Sequence, residues 1–556
     1  MHATVKLDAL TSLRFFAAAM IVLGHTHGAF GSLGLATTLS LAQGVSFFFV
    51  LSGFILAYNY PTLATRQETA HFFKARIARI WPAHIAAIIL LYLLTSGWNL
   101  GGLTYLQAIF TALANLFLIQ SLIPLRDVFL TFNGVAWSIS TEMFFYFSFP
   151  LLISSFIPGW KVKLIFLSTV AALFFGFAIA WNIPADDAAP SVSLMGLFYV
   201  NPFVRIIEFF AGVLACGVYQ KIHSRTKNQS GLLFSAAELL VVVLAVFAMW
   251  ITPKLTTIFA MHGAIGGAVN YYLIKSGSFL FFAALIVVFA LGKGVFSKAL
   301  SAPFLVLLGE ISFSLYLVHM TIFQWYMANS LYFSHLPLLV QTAGYWAIAL
   351  SMAFLLHKAV ENPCRKLILS VNKTTIPKAL STAYNVRASA YLAAAGALIL
   401  ALNVLPAAFA PKGCQSDECT YLVKNHALTS SPEFGENLRL VAAKSVKTSS
   451  GSDNIELAFE LIKPLPKGYI LAVHLLDKNA EILDKSDTAL SKSEKLRPGD
   501  QWTEVVTLTA GLSKPSPQML GLAVYLDPAS PIAVRSKVSD YNGRRALLQL
   551  SNIQSN

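Results

Sequence analysis

Charge is what this chain has least of. Only 12% of its 556 residues are Asp, Glu, Lys or Arg, about half the ~25% of an ordinary soluble domain. Together with a 56% hydrophobic content and a mean hydropathy of +0.65, that scarcity excludes a soluble globular protein and indicates a multi-span membrane protein. Cysteine is nearly as scarce: Cys216, Cys364, Cys414 and Cys419. No two His, Cys or acidic residues have a metal-ligand spacing such as HExxH, so no metal is implied. No internal repeat is visible. The first apolar segment has no small-residue cleavage site before its polar break, so no cleavable signal peptide is expected. The net charge of +14 does not require a nucleic-acid partner, because basic residues gathered in short loops between apolar spans are a topology signal.

A helix needs about 20 apolar residues to cross the hydrocarbon core. Eleven segments qualify: 9–30, 41–60, 77–96, 135–157, 162–181, 203–220, 232–252, 277–292, 303–327, 338–357 and 387–409. The stretch 107–123 is short and ends at Pro124. If it spanned, the later basic loops would fall outside. If it is re-entrant or interfacial and the N-terminus, with Lys6, is cytoplasmic, then 159–163, 220–227, 292–298 and 358–387 all lie inside. The acidic 186–189 then lies outside, and every short loop obeys the positive-inside rule. The expectation is therefore ten helices over 1–370, a cytoplasmic linker 371–386 and a further span 387–410. That makes a multi-pass membrane protein in contact with lipids.

After residue 410 the composition changes. Short alternating apolar runs such as "NIELAFELI", "YILAVHLLD" and "QMLGLAVYLD" are punctuated by Pro, Gly, Ser and Asp. That pattern predicts a small antiparallel β-sandwich over 411–556, on the periplasmic or extracytoplasmic side. The spacing of Cys414 and Cys419 closes a small loop easily, and an exported location favours a disulfide over two free thiols.

The expensive residues are the polar ones inside spans. Arg14 and His25 are eleven residues apart on the first span, close to three turns, so they share one face about 16 Å apart. A charge in mid-helix costs about 2.5–3.5 kcal/mol, which makes function the default reading. Snorkelling of Arg14 to headgroups and an ordinary hydrogen-bonded histidine at 25 are the bland alternatives. By depth, Glu142 and His319 are expected level with His25, with Arg14 and the basic run "KARIARIWP" further in. Lys74, Arg76 and Arg79 either set topology or clamp phosphate, which guanidinium forks bind bidentately. Ser52-Gly53, in mid-span, admits either a ligand or a neighbouring helix close to the backbone. Arg205 and Glu208, three apart on one helix, can simply pair.

At these residues the chain resembles the acyltransferase family 3, membrane-bound O-acyltransferases that modify bacterial surface glycans. The resemblance covers about residues 5–370. It rests on "LDALTSLRFFAAAMIVLGH", "FFFVLSGFILA", "FFKARIARIWPAH", "AWSISTEMFFY", "NPFVRIIEFFAGVLACG", "LGEISFSLYLVHM" and "VENPCRK", in that order. It implies ten helices, often with an eleventh that carries an extracytoplasmic domain. It implies acyl-CoA, usually acetyl-CoA, as cytoplasmic donor and a glycan hydroxyl outside as acceptor. His25 would be catalytic, with Arg14 essential beside it and roles for Glu142 and His319. Arg76 and Arg79, with Lys74, Ser52 and Gly53 nearby, would hold the CoA. The tail departs from fused members of the family. It has no Gly-Asp-Ser motif and no terminal Asp-x-x-His pair, so it is expected to bind glycan or a partner rather than to catalyse. A transporter of a lipid-linked sugar or acyl donor is the main rival, since intramembrane charge and histidine suit a proton-coupled pathway equally well. A sensor is the third reading.

Overall fold

The computed structural model describes residues 6–550, apart from 33, 96–102, 155–158, 186–191, 227–228, 230, 264, 334–335, 371–377, 410–413, 415, 429–430, 448–452, 464, 466–467, 478, 491–492, 494–495, 497, 509–518, 527–531, 536–538 and 541–543. The acidic 186–189 and the first part of the expected linker lie outside the described residues. One compact unit holds residues 1–328 and 338–402; the second holds 403–556 together with 329–337.

The first unit is helical. Its principal helices are α1 (Asp8–Phe30), α2 (Gly44–Asn59), α3 (Arg66–Leu94), α4 (Tyr105–Leu116), α5 (Trp137–Ile153), α6 (Trp160–Ala180), α7 (Pro202–Arg225), α8 (Gly231–Met261), α9 (Gly267–Ser276), α10 (Phe279–Ala290), α11 (Pro303–Ala328), α12 (Leu338–Leu356), α13 (Asn362–Ser370) and α14 (Lys378–Phe409). Among the described residues ten helical segments are long and apolar enough to cross a membrane. Each expected span coincides with a helix. The fourth, α5, has only 17 residues, about 26 Å of rise against a core of about 30 Å. The helix α14 starts nine residues before the expected span, at Lys378, so most of the expected linker 371–386 is helical. The tenth span does not stop at 357. It passes through a π-helical turn, His357–Glu361, into α13.

Local signals place the helix starts. Thr65 and Glu68 form a reciprocal capping box at α3, and Asn201 caps α7 with Pro202 in its first turn. These satisfy backbone N–H groups that have no partner within the helix.

The segment between α4 and α5 is partly buried and is not a span. The 12 residues of α4 rise only about 18 Å. The chain then turns, with Leu118 at φ +56°, and Gln120 and Ser121 are fully buried. In an apolar setting the freed carbonyls need donors, and side chains supply them. Trp81 Nε1 donates to Leu116 O at 2.9 Å, His84 Nε2 to Asn115 O at 2.9 Å, and Ser140 Oγ to Leu118 O at 2.7 Å.

Glycine fixes the central crossings. A Cβ on Gly53 would land on the Phe209 carbonyl of α7, and one on Gly212 would land on the Val50 carbonyl of α2. Gly309 of α11 meets Thr11 and Ser12 of α1 in the same way. Backbones in van der Waals contact leave no space for a methyl group. Gly212→Ala should therefore lower the thermal unfolding midpoint of the detergent-solubilised protein, by an overpacking cost of about 1–3 kcal/mol. Gly217→Ala on the same helix, with nothing within 4 Å of its added Cβ, should not. Tryptophan-fluorescence melts of the two variants side by side check this.

The second unit is a β-sandwich of two five-stranded sheets. One has the order β6-β3-β2-β1-β8 and the other β5-β4-β7-β10-β9. The strands are β1 (Glu433–Phe434), β2 (Leu438–Lys447), β3 (Asp453–Leu461), β4 (Ile470–Leu476), β5 (Ile482–Ala489), β6 (Gln501–Leu508), β7 (Met519–Tyr525), β8 (Val534–Arg535), β9 (Ser539–Asp540) and β10 (Arg545–Gln549). The paired strands are antiparallel. Alternate residues such as Leu471, Val473 and Leu475 face Leu457, Phe459 and Trp502 in one apolar core. A short helix, α15 (Asp417–Asn425), lays Leu422 on Ala442 and Ala458 over the outer face of the first sheet. The Cys414–Cys419 disulfide, with Cα atoms 5.3 Å apart, ties its start to the chain that bridges β6 at Gln501.

Candidate active site

Arg14 and His25 do lie on one helix, but they serve different parts of the site. Arg14 lines a cavity of about 240 Å³ between α1, α2, α3, α5 and α11. Arg76 and Arg79 of α3 line it too, three residues apart on one face. Lys74, two residues before Arg76, points to a different face and is not part of the lining. Arg76 is wrapped in aromatic faces: its guanidinium carbon lies 5.6 Å from the Tyr60 ring centroid, 5.9 Å from Phe72 and 5.8 Å from Tyr146. Its Nε is buried without a hydrogen-bond partner. Among the described residues no carboxylate reaches ion-pair distance of Arg14, Arg76 or Arg79.

Two carboxylates face these arginines at longer range. Glu142 accepts hydrogen bonds from Ser52 Oγ at 2.8 Å and Tyr146 Oη at 2.6 Å. Glu361 accepts from Ser314 Oγ at 2.9 Å and pairs with His357 Nδ1 at 2.9 Å. The π turn aims Glu361 inward, toward Arg14 and Arg79, and Arg365 on α13 adds a further guanidinium beside Arg76 and Arg79. Among the groups that line the cavity, three guanidinium groups face one carboxylate, which leaves positive charge uncompensated. That is an anion site, and its cationic forks suit a phosphate or diphosphate. Glu361, His357 and Arg365 escape a sequence reading that ends the tenth span at 357. The i, i+4 spacing of His357 and Glu361 just beyond an apolar run was the available signal.

Glu142 corrects an expectation of depth. The sequence reading puts it level with His25. It sits instead with Ser52 among the arginines and touches neither histidine. Gly53 is corrected as well: it packs against α7 and does not line the cavity, whereas its neighbour Ser52 does.

His25 has another partner. Its Nδ1 lies 2.9 Å from Nε2 of His319 on α11. The rings are parallel within 3° with centroids 5.2 Å apart, the geometry of two imidazoles hydrogen-bonded edge to edge. His319 Nδ1 lies 2.7 Å from the backbone oxygen of Tyr316. A carbonyl only accepts, so this nitrogen carries the proton. With both rings neutral, His319 Nε2 must then accept from His25 Nδ1–H, and the lone pair is left on His25 Nε2. His319 is fully buried and His25 is exposed. A buried ring thus sets the tautomer of an accessible one. The pair adjoins the cavity through Tyr316, whose ring lines it and lies 5.7 Å from the His319 ring.

Arg205 and Glu208 pair at 2.9 Å with no side-chain exposure. Ser276 and Ser46 accept from Arg205 at 2.7 and 3.2 Å, and Tyr272 donates to Glu208 at 3.4 Å. This network joins α2, α7 and α9, and its internal pairing marks it as structural. Among the described residues no group of three or more His, Cys, Asp or Glu side chains could hold a metal ion.

Comparison with known proteins finds relatives of this chain. The chain is 28% identical over 396 residues to acyltransferase MdmB of Streptomyces mycarofaciens, a match covering 66% of this chain and 93% of that protein. It is 29% identical over 187 residues to nodulation protein 10 of Rhizobium leguminosarum bv. viciae, covering 29% of this chain and 48% of that one. No solved structure matches it. The model of the acyltransferase domain matches residues 7–357, which hold the arginine cavity and the histidine pair, and the chain belongs to the acyltransferase 3 family.

Proposed function

We propose that this acyltransferase moves an acyl group, in the first place acetyl, from acyl-CoA on the cytoplasmic side to a hydroxyl of a glycan on the outer side of the bacterial inner membrane. The observation that carries the reading is the cavity itself. Its lining gathers an uncompensated arginine cluster, and Tyr316, which also lines it, adjoins a tautomer-fixed histidine pair. Arg14, Arg76 and Arg79 hold the phosphates of the donor. Glu142 and Ser52 lie between, where the amide groups of the pantetheine arm pass. The thioester then lies at the Tyr316 end.

His25 acts as general base. The acceptor hydroxyl oxygen attacks the thioester carbonyl carbon while its proton goes to His25 Nε2. The resulting imidazolium is held by its Nδ1–H bond to His319, now charge-assisted. Collapse of the tetrahedral intermediate breaks the carbon–sulfur bond, and the thiolate leaves with the proton from Nε2. One turnover yields an ester and free CoA. With the short α5 counted as an eleventh span and the N-terminus inside, the β-sandwich lies outside, as a noncatalytic module for glycan or partner.

The test is ester-linked acetate on surface glycans, read by NMR, from a deletion strain carrying the wild-type gene or an empty vector. Acetate that returns with the gene supports the reading and identifies the acceptor in the same spectrum. Unchanged esters with altered lipid-linked intermediates would place transport ahead of acyl transfer.

A further inference from the structure

The arginines, Glu142 and the histidines leave one polar pair of the cavity without a task. Ser138 and Tyr316 both line the cavity and are each only 7% exposed. Ser138 Oγ lies 2.7 Å from Tyr316 Oη and 3.1 Å from Val135 O, and Tyr316 Oη lies 3.1 Å from the same carbonyl. Ser138 stands one turn before Glu142 on α5, about 6 Å further from the arginines. It lies beside the tyrosine that adjoins His319. A donor held by its phosphates and threaded past Glu142 brings its thioester to this point.

The hydroxyls of the lining differ in how freely they can turn to a ligand. Ser52 and Tyr146 are held by the Glu142 carboxylate, a strong acceptor. Thr11 donates to the backbone oxygen of Leu7. Tyr316 donates to Val135. Ser138 alone among these lining hydroxyls has a phenol oxygen, a weak acceptor, as its nearest partner. If its proton swings away, the Val135 carbonyl keeps Tyr316 as donor, and no buried acceptor is stranded. Ser138 also sits in the first turn of α5, at the positive end of a 17-residue helix dipole, where a developing negative charge is favoured.

We propose that Ser138 is the oxyanion donor. Its hydroxyl, held in waiting by Tyr316, turns to the thioester carbonyl oxygen as attack places negative charge there, and returns when the carbon–sulfur bond breaks. This rests on the acyl-CoA reading above. Ser138 thereby becomes a catalytic residue and Tyr316 a positioning residue.

The experiment uses the full chain in nanodiscs, acetyl-CoA as donor and surface glycan extracted from the deletion strain as acceptor. Ser138→Ala should lower kcat by about 10²-fold, the usual effect of losing one oxyanion donor, with acetyl-CoA affinity within twofold of wild type. Ser138→Thr, which keeps the hydroxyl, should recover most of that loss. Tyr316→Phe should cost only severalfold, because Ser138 can still wait on Val135. A readout independent of turnover is the infrared carbonyl stretch of bound [1-13C]acetyl-CoA. It should lie at lower frequency in wild type than in Ser138→Ala. An unchanged kcat, an unshifted carbonyl band, or a loss of donor affinity equal to the loss of rate would each overturn the assignment. Wild-type protein that binds no acetyl-CoA and transfers none would instead overturn the donor reading, and this assignment with it.

Discussion

His25→Ala should reduce acyl transfer by about 10²–10⁴-fold, the share a positioned general base contributes, with the protein present in the membrane at wild-type level. The histidine pairing makes a sharper second statement. His319→Leu keeps His25 but removes the acceptor for its Nδ1–H, so the ring no longer has a fixed tautomer and its imidazolium loses its partner. The rate should fall nearly as far as in His25→Ala. His319→Gln places an amide oxygen near the position of the lost Nε2 and should recover a large part of the loss. The double variant His25→Ala, His319→Leu should be no slower than His25→Ala alone, because residues that act as a unit are not additive. Initial rates of ester formation in matched nanodiscs measure all four. A His319→Leu enzyme at full rate would remove His319 from the mechanism. Additive losses would separate the two rings.

Arg79→Met and Arg76→Met should act on the donor. A hydrogen bond to a charged group is worth about 1.5–3 kcal/mol, so each variant should raise the KM for acyl-CoA about 10- to 150-fold. The KM for acceptor should stay near its wild-type value. Arg79→Lys should restore only part, because an ammonium lacks the planar fork. Glu361→Gln should shift donor affinity the other way, since it removes negative charge from beside Arg14 and Arg79. Donor titrations at two ionic strengths test the set. A Glu361→Gln enzyme that binds donor more weakly would mean the acid serves to position Arg79 rather than to offset it.

The sequence announces the membrane architecture because span length, loop charge and strand alternation are local properties. A polytopic helical unit and a sandwich follow from windows of about 20 and 8 residues, although only ten of the eleven expected spans are long enough to qualify among the described residues. The site is legible only as an inventory. Arg14, Arg76, Arg79, Ser52 and Glu142 stand out as polar groups in apolar spans, and the structure does gather them in one cavity. Their partners could not be read. His25 and His319 are 294 residues apart, and only the α1–α11 packing, fixed by Gly309 against Thr11, brings them together. The neighbours of Glu142 could not be read from its place along α5, because Ser52 and the arginines come from other helices. Gly53 was ambiguous for a different reason: a small residue admits a ligand and a helix equally well, and here the helix occupies the space.

The glycine crossings limit how this molecule can work. With α2 clamped to α7 and α1 clamped to α11, backbone against backbone, neither pair of helices can slide along its own contact. A cycle in which the protein opens first to one side and then to the other needs such sliding. Under the acyl-CoA reading proposed above, the flexible arm of the donor rather than either clamped helix pair would then cover the distance through the membrane.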